Sequence, residues 1–141
     1  TLSMAKYQVE NQWGGDEAPW HDGGVWELGN REDQIIEAIS CKADGSDELD
    51  GDMTYSGEGP IGLKLAYETL PEPNQYAAEN QWGGDDAPWH PAGTWTVGCR
   101  PEQRVVQLDA KASGSDGDLV GTMTYAGEGA IGFKASIIKG N

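Results

Sequence analysis

The chain has 141 residues, 37% of them hydrophobic, with 21 glycines and a formal net charge of −15 from 24 acidic and 9 basic side chains. That balance argues against nucleic acid and against anionic membranes as partners, because both need a basic face to displace counterions. It suits a neutral or cationic ligand, or simply high solubility. No apolar run approaches the roughly 18 residues of a spanning helix, so membrane insertion is not expected.

The first ten residues, TLSMAKYQVE, show no apolar core of a signal peptide. A cytoplasmic location in the producing cell is therefore expected, with any extracellular action following release. A first strand is predicted over Lys6–Gln12, running into ENQWGGDEAPWH at 10–21, which returns as ENQWGGDDAPWH at 79–90. The likeness extends further. Residues 10–31 match 79–100 at an offset of 69 with 15 of 22 identical, and 53–64 match 123–134 at an offset of 70 with 9 of 12 identical. The copies run over about 6–69 and 75–139, joined by ETLPEPNQ at 68–75, where Pro71 and Pro73 oppose regular structure. A repeat of about 70 residues is too long for a solenoid unit and reads as a duplicated half-domain.

Within each copy the pattern is strand-like, with no helical period and turn glycines recurring about every 8–12 residues. After Lys6–Gln12 the first copy offers strands at Val25–Gly29, Gln34–Lys42, Asp52–Ser56 and Ile61–Tyr67. The second offers Gln75–Gln81, Thr94–Gly98, Arg104–Ala112, Gly121–Ala126 and Ile131–Ile138. ADGSDELDGD and ASGSDGDLVG read as hairpin turns. Half of so short a chain makes a marginal core. Ten antiparallel strands closed into one barrel would share a core and remove the edges. The expected fold is therefore all-β, a single ten-stranded antiparallel barrel spanning 1–141.

All six tryptophans lie in the repeated block. Trp20, Trp26, Trp89 and Trp95 read as core. Trp13 and Trp82 differ, because each ends a strand and is followed by two glycines that cannot shield its ring. Such a ring is either core or a flat apolar platform beside reachable backbone groups. A platform suits a sugar, whose C–H face packs on an aromatic while its hydroxyls seek donors and acceptors. Glu58 and Glu128, each between glycines, are exposed carboxylates for hydroxyl pairs or solvated turn residues. Arg31 and Arg100 are repeat-equivalent and supply planar forks of donors, or are surface cations in an acidic field.

Other chemistry is weakly signalled. His21 and His90 each follow a tryptophan, but one histidine per copy is poor zinc chemistry. DGSDELDGD at 44–52 has a calcium-like composition without the EF-hand register. No metal or cofactor is expected. Neither is catalysis, since no nucleophile or phosphate-loop motif occurs and each copy has only one repeated, glycine-flanked glutamate rather than a carboxylate pair. Cys41 and Cys99 occupy non-equivalent places and read as free thiols. Two functions outside sugar binding fit the same loops, a protein-interaction barrel and a carbohydrate-active enzyme.

Taken together, ENQWGG…APW, W-x-x-G-x-R and MTYxGEGxIGxK, all duplicated, resemble the Oscillatoria agardhii agglutinin family of high-mannose-binding lectins from about Tyr7 to Ile137. The resemblance implies a ten-stranded barrel of two tandem repeats with two symmetric, metal-independent sugar sites at opposite ends. It implies recognition of the branched α1-3, α1-6 mannose core of high-mannose N-glycans, on glycoproteins such as viral envelope proteins, with agglutinating and antiviral activity from a two-site monomer. Carried over by motif, one site joins Trp13, Gly14 and Gly15 to Arg100, Glu128 and Gly129 of the other copy. Its twin joins Trp82, Gly83 and Gly84 to Arg31, Glu58 and Gly59. This chain departs from the pattern in a longer linker, in the acidic pairs Asp16-Glu17 and Asp85-Asp86, and in Cys99 standing where the first copy has Asn30.

Overall fold

A computed structural model describes residues 5–31, 33–45, 48–68, 72–114 and 117–138. Residues 69–71 of the expected linker and residue 139 at the expected end of the second copy lie outside these. The first copy supplies β1 (Lys6–Gln12), β2 (Trp20–Glu27), β3 (Ile36–Ala43), β4 (Glu48–Tyr55) and β5 (Ile61–Glu68). The second supplies β6 (Gln75–Gln81), β7 (Trp89–Thr96), β8 (Val105–Ser113), β9 (Asp118–Tyr125) and β10 (Ile131–Ile137). They close into one antiparallel barrel in the order β1-β10-β9-β8-β3-β4-β5-β6-β7-β2. The expected ten-stranded barrel is the fold found.

The two copies are interleaved rather than stacked. β1 pairs with β10, with Gln12 opposite Gly132. β3 pairs with β8, with Ser40 opposite Asp109. The barrel closes where Glu27 of β2 meets Thr96 of β7. Ser40 and Asp109 are repeat equivalents, and so are Glu27 and Thr96, at the offset of 69. A residue that pairs with its own equivalent marks a two-fold axis, and here the axis crosses the barrel wall at both places.

Alternation along the strands sorts side chains between core and solvent. Tyr7 and Val9 of β1, Leu63 and Leu65 of β5, and Phe133 and Ala135 of β10 are all buried. Trp26 and Trp95 are 0% exposed at the centre. Each indole N–H donates over 3.0 Å to a carbonyl three residues earlier, of Gly23 and Ala92, so burial leaves no donor orphaned. Fully buried rings of this size carry about 3–5 kcal/mol each. The carbonyls they use sit at β-bulges, where the β1–β2 register shifts between Gln8 and Glu10 and the β6–β7 register between Ala77 and Glu79.

Four strands begin earlier than the sequence pattern predicts. β2 and β7 start at Trp20 and Trp89 rather than at Val25 and Thr94, and each ends short of its expected Gly29 or Gly98. Their opening residues, WHDGG and WHPAG, include the bulge, and glycine and proline there disguise a strand. β4 and β9 start at Glu48 and Asp118 rather than at Asp52 and Gly121, because acids and a glycine mask the alternation. The glycines concerned, Gly51 and Gly121, are there for space, since a Cβ on either would overlap the carbonyl oxygen of Ser40 or Asp109 on the neighbouring strand.

Trp20 and Trp89 are corrected from the core assignment. Both are half-buried on the outer wall. Each lays the tip of its ring against a glycine of a neighbouring strand, Trp20 on Gly132 and Trp89 on Gly62. A lysine ammonium covers each ring, Lys134 Nζ at 4.5 Å and Lys64 Nζ at 4.3 Å from the centroids.

Both cysteines are free thiols, Cys41 buried and Cys99 exposed. Burial, followed by the nearby charges of Asp50 and Asp109, pushes the Cys41 thiol up to about 12, where it is unreactive. A thiol-specific reagent should therefore label Cys99 alone in the native protein and both cysteines in denaturant. Equal native labelling of the two would show that the wall around Cys41 opens.

Candidate functional site

The repeated loop is built residue by residue from its own motif. Asn11, buried at the end of β1, donates its side-chain N–H to the carbonyl of Gly132 at 3.0 Å, and Asn80 does the same to Gly62 at 2.9 Å. Gln12 then braces the loop from inside, donating to the carbonyls of Asp16 at 3.1 Å and Ala18 at 2.8 Å. Gln81 repeats this with Asp85 and Ala87 at 3.1 and 2.8 Å. Gly14 and Gly15 take φ of 98° and 112°, and Gly83 and Gly84 take 98° and 110°. Side chains rarely adopt that backbone, so the double glycine is a conformational requirement. It also strips neighbours from the preceding tryptophan. Trp13 and Trp82 are each 49% exposed, as a platform requires and a core residue would not be.

The second element is the turn between β4 and β5, or between β9 and β10. Backbone N–H groups of Glu58 and Glu128 close it onto the carbonyls of Tyr55 and Tyr125 at 3.1 and 3.0 Å. Each glutamate meets the arginine of its own copy, Arg31 Nη1 to Glu58 Oε1 at 2.9 Å and Arg100 Nη1 to Glu128 Oε1 at 2.9 Å. The guanidinium carbon sits over the ring of a buried tyrosine, 4.2 Å from the centroid of Tyr55 or Tyr125. A glutamine locks each pair. Gln34 accepts from Arg31 at 2.8 Å and donates to Glu58 and to the Ser56 carbonyl, both at 2.9 Å. Gln103 accepts from Arg100 at 2.8 Å and donates to Glu128 and the Ala126 carbonyl, both at 3.0 Å.

Gln34, Gln103, Tyr55 and Tyr125 escape a reading of sequence alone. The shared Arg-x-x-Gln spacing at 31–34 and 100–103 was the available signal for the glutamines. The hydrogen bonds from glutamine first, and from arginine second, hold Glu58 and Glu128 below the usual carboxylate range.

Strand register sets the two elements at the same barrel end across copies. Because Gln12 faces Gly132, the Trp13-Gly14-Gly15 loop opens at the barrel end where Glu128 and Gly129 turn into β10. Because Gln81 faces Gly62, the Trp82-Gly83-Gly84 loop opens where Glu58 and Gly59 turn into β5, at the opposite end. The His21 and His90 rings stack on Trp13 and Trp82, with centroids 4.1 and 4.2 Å apart. The acidic hairpin keeps three carboxylates, of Asp44, Glu48 and Asp50, within 4.8 Å of one another. Burial, then Asp44, raises Asp50 to about 6.

Each end of the closed barrel thus presents an exposed indole on bare glycine backbone and an oriented arginine–carboxylate pair, groups whose chemistry suits a sugar. A sequence profile of the OAA-family lectin sugar binding domain matches residues 5–68 and again 74–138, and the chain belongs to that family. It is 54% identical to Lectin OAA of Planktothrix agardhii over 136 residues, which covers 95% of this chain and 100% of that protein. The crystal structure of the Pseudomonas fluorescens agglutinin superposes with a TM-score of 0.85 at 53% identity, covering 94% of this chain and 99% of that one. The Myxococcus xanthus hemagglutinin in complex with a3,a6-mannopentaose superposes with a TM-score of 0.88 at 50% identity. The match covers 98% of this chain and 51% of that one. This protein is accordingly a carbohydrate-binding lectin.

The glutamine lock has a measurable signature. Gln34→Leu should raise the pKa of Glu58 toward the ordinary glutamate value of about 4.3 while Glu128 stays depressed, followed by carbon NMR of the side-chain carboxyls. The sign follows from linkage, because a depressed folded-state pKa adds stability above the unfolded value and loses it as pH falls through the lowered one. The variant should lose its Arg31–Glu58 pairing at a higher pH than the parent. An unmoved Glu58 would mean that Arg31 alone holds the carboxylate.

Proposed function

We propose that this lectin binds the branched α1-3, α1-6 mannose core of high-mannose N-glycans at two equivalent, metal-independent sites. One site comprises Trp13, Gly14, Gly15, Arg100, Glu128 and Gly129, the other Trp82, Gly83, Gly84, Arg31, Glu58 and Gly59. The observation that supports this is strand register, which sets a half-exposed indole and a glutamine-locked arginine–glutamate pair at the same barrel end, twice. The mannopentaose bound to the Myxococcus xanthus hemagglutinin supports the same ligand class. An indole packs on the C–H face of a sugar, while carboxylate oxygens and guanidinium N–H groups divide its hydroxyls. Among the described residues every hydrogen bond from Arg31 or Arg100 leaves through Nη1, so the Nε and Nη2 donors remain for ligand.

So shallow a site gathers its contact area from several sugars, so single mannose should bind weakly and branched oligomannose at about the micromolar scale, or −8 kcal/mol. Two sites on one rigid monomer crosslink particles, which supplies agglutination and an antiviral action on mannosylated envelope glycoproteins.

A glycan array with and without EDTA tests ligand and metal independence together. Galactose-terminated glycans binding as well as mannose, or binding lost in EDTA, would refute the proposal. Trp13→Ala should bind soluble oligomannose at about half the parent stoichiometry and lose agglutination far more steeply, because avidity needs both sites engaged. Trp13→Ala combined with Trp82→Ala should lose both activities and keep the parent melting curve. Full binding by that double variant, measured calorimetrically, would place the sites elsewhere.

A further inference from the structure

We propose that His21 and His90 are positioning residues for the sugar platforms. Each imidazole lies against one face of its tryptophan and holds the ring open to ligand on the other face alone. This rests on the reading of Trp13 and Trp82 as ligand-facing. Trp13 stands on a loop whose next two residues have no side chains, and at 49% exposure its ring has little else to lean on. Left alone, such a ring samples several rotamers and pays to be ordered when ligand arrives. The imidazole of His21 meets it at a centroid distance of 4.1 Å and an interplanar angle of 17°, a stacked contact. His90 meets Trp82 at 4.2 Å and 18°.

The near-identity of the two stacks is informative because their surroundings differ. Glu17 and Asp22 of the first copy are replaced by Asp86 and Pro91 in the second. What the copies share is the strand beneath. His21 pairs in the ladder with Asn11, and His90 with Asn80. Those asparagines are buried and bonded to the opposite copy's backbone. The histidine therefore stands on an anchored strand and the tryptophan on a glycine hinge, so the fixed ring orients the mobile one. A stacked partner also blocks that face to sugar, which makes each platform single-sided and gives the bound glycan one orientation.

The test isolates one site. In a Trp82→Ala background, His21→Ala and His21→Tyr are titrated with a branched α1-3, α1-6 mannopentaose. Fluorine NMR of 5-fluorotryptophan-labelled protein follows the Trp13 ring. His21→Ala should weaken binding between about threefold and tenfold, the range set by an aromatic pair. It should also shift the Trp13 resonance and leave the melting curve unchanged. His21→Tyr, which restores a flat ring without an imidazole, should restore affinity. Parent-like binding by His21→Ala would overturn the proposal, as would an unshifted Trp13 resonance or a tyrosine variant as weak as the alanine one. Should His21→Ala fail to fold, His90→Ala in a Trp13→Ala background asks the same question at the other end. Failure of the platform reading looks different, since the double tryptophan variant would then bind sugar whatever stands at 21 and 90.

Discussion

Strand pairing between the copies is the constraint on which both sites depend. Each Trp-Gly-Gly loop is delivered by a strand, β1 or β6, whose neighbour on one side belongs to the other copy. The pairing is secured by groups inside the repeated motifs. Asn11 takes the Gly132 carbonyl, Trp20 lies against Gly132, which has no Cβ to push it away, and Lys134 closes over that ring. Asn80, Gly62, Trp89 and Lys64 repeat the arrangement. The terminal glycine and lysine of MTYxGEGxIGxK are thus the receptor for the tryptophan of APW. Two motifs some distance apart in sequence are halves of one interlock, and that interlock aligns the platform with the Glu-Gly turn.

Much of this was legible in the sequence where local chemistry decides. The strand count followed from turn glycines and alternation, and closure from the need of two half-cores for each other. The exposed Trp13 and Trp82 followed from the double glycines. What was hidden lies where a residue's role depends on a partner in the other copy. Trp20 and Trp89 look like core because sequence cannot show that a bare glycine on the neighbouring strand offers them an outer-wall seat. The openings of β2 and β7 look like loop because a bulge breaks the period of two. Gln34 and Gln103 carry no hydrophobic pattern, and their value appears only once Arg and Glu are seen to converge on one amide. Histidine suggests metal or protons first, and its use as a flat ring emerges only from the fold.

The two ends are alike in machinery and unlike in detail. Asn30 offers its backbone N–H to the Tyr55 hydroxyl at 3.3 Å, and Cys99 offers its own to Tyr125 at 3.1 Å. The Cys99 sulfur adds a contact at 3.6 Å to the hydroxyl of that tyrosine, whose ring supports Arg100. On the outer wall, Gln8 of the first copy bridges to Asp22 at 2.8 Å and to the Gly24 carbonyl at 3.3 Å. The equivalent positions hold Ala77 and Pro91, and a shallow groove of about 440 Å³ lies beside them instead. The first difference lies behind the arginine–glutamate pairs, at the tyrosines under the arginines, and the second on the outer wall, while the pairs themselves keep the same bonds in both copies.

The symmetry bears on why a lectin would be built this way. Ser40 facing Asp109 and Glu27 facing Thr96 are contacts of equivalent residues, the arrangement found where two identical chains meet across a two-fold axis. In such an arrangement every site shared between partners occurs twice, pointing in opposite directions, without separate selection for the second. Joining the partners in one chain makes their meeting intramolecular and independent of protein concentration. The duplication of the loop-and-turn arrangement is then a consequence of how the barrel closes. A lesion that prevents closure, anywhere in the interlock, disturbs both barrel ends at once, whereas a lesion in one loop or one turn is confined to its own end. Folding and the placing of each Trp-Gly-Gly loop at the barrel end of a Glu-Gly turn therefore depend on the same strand pairs.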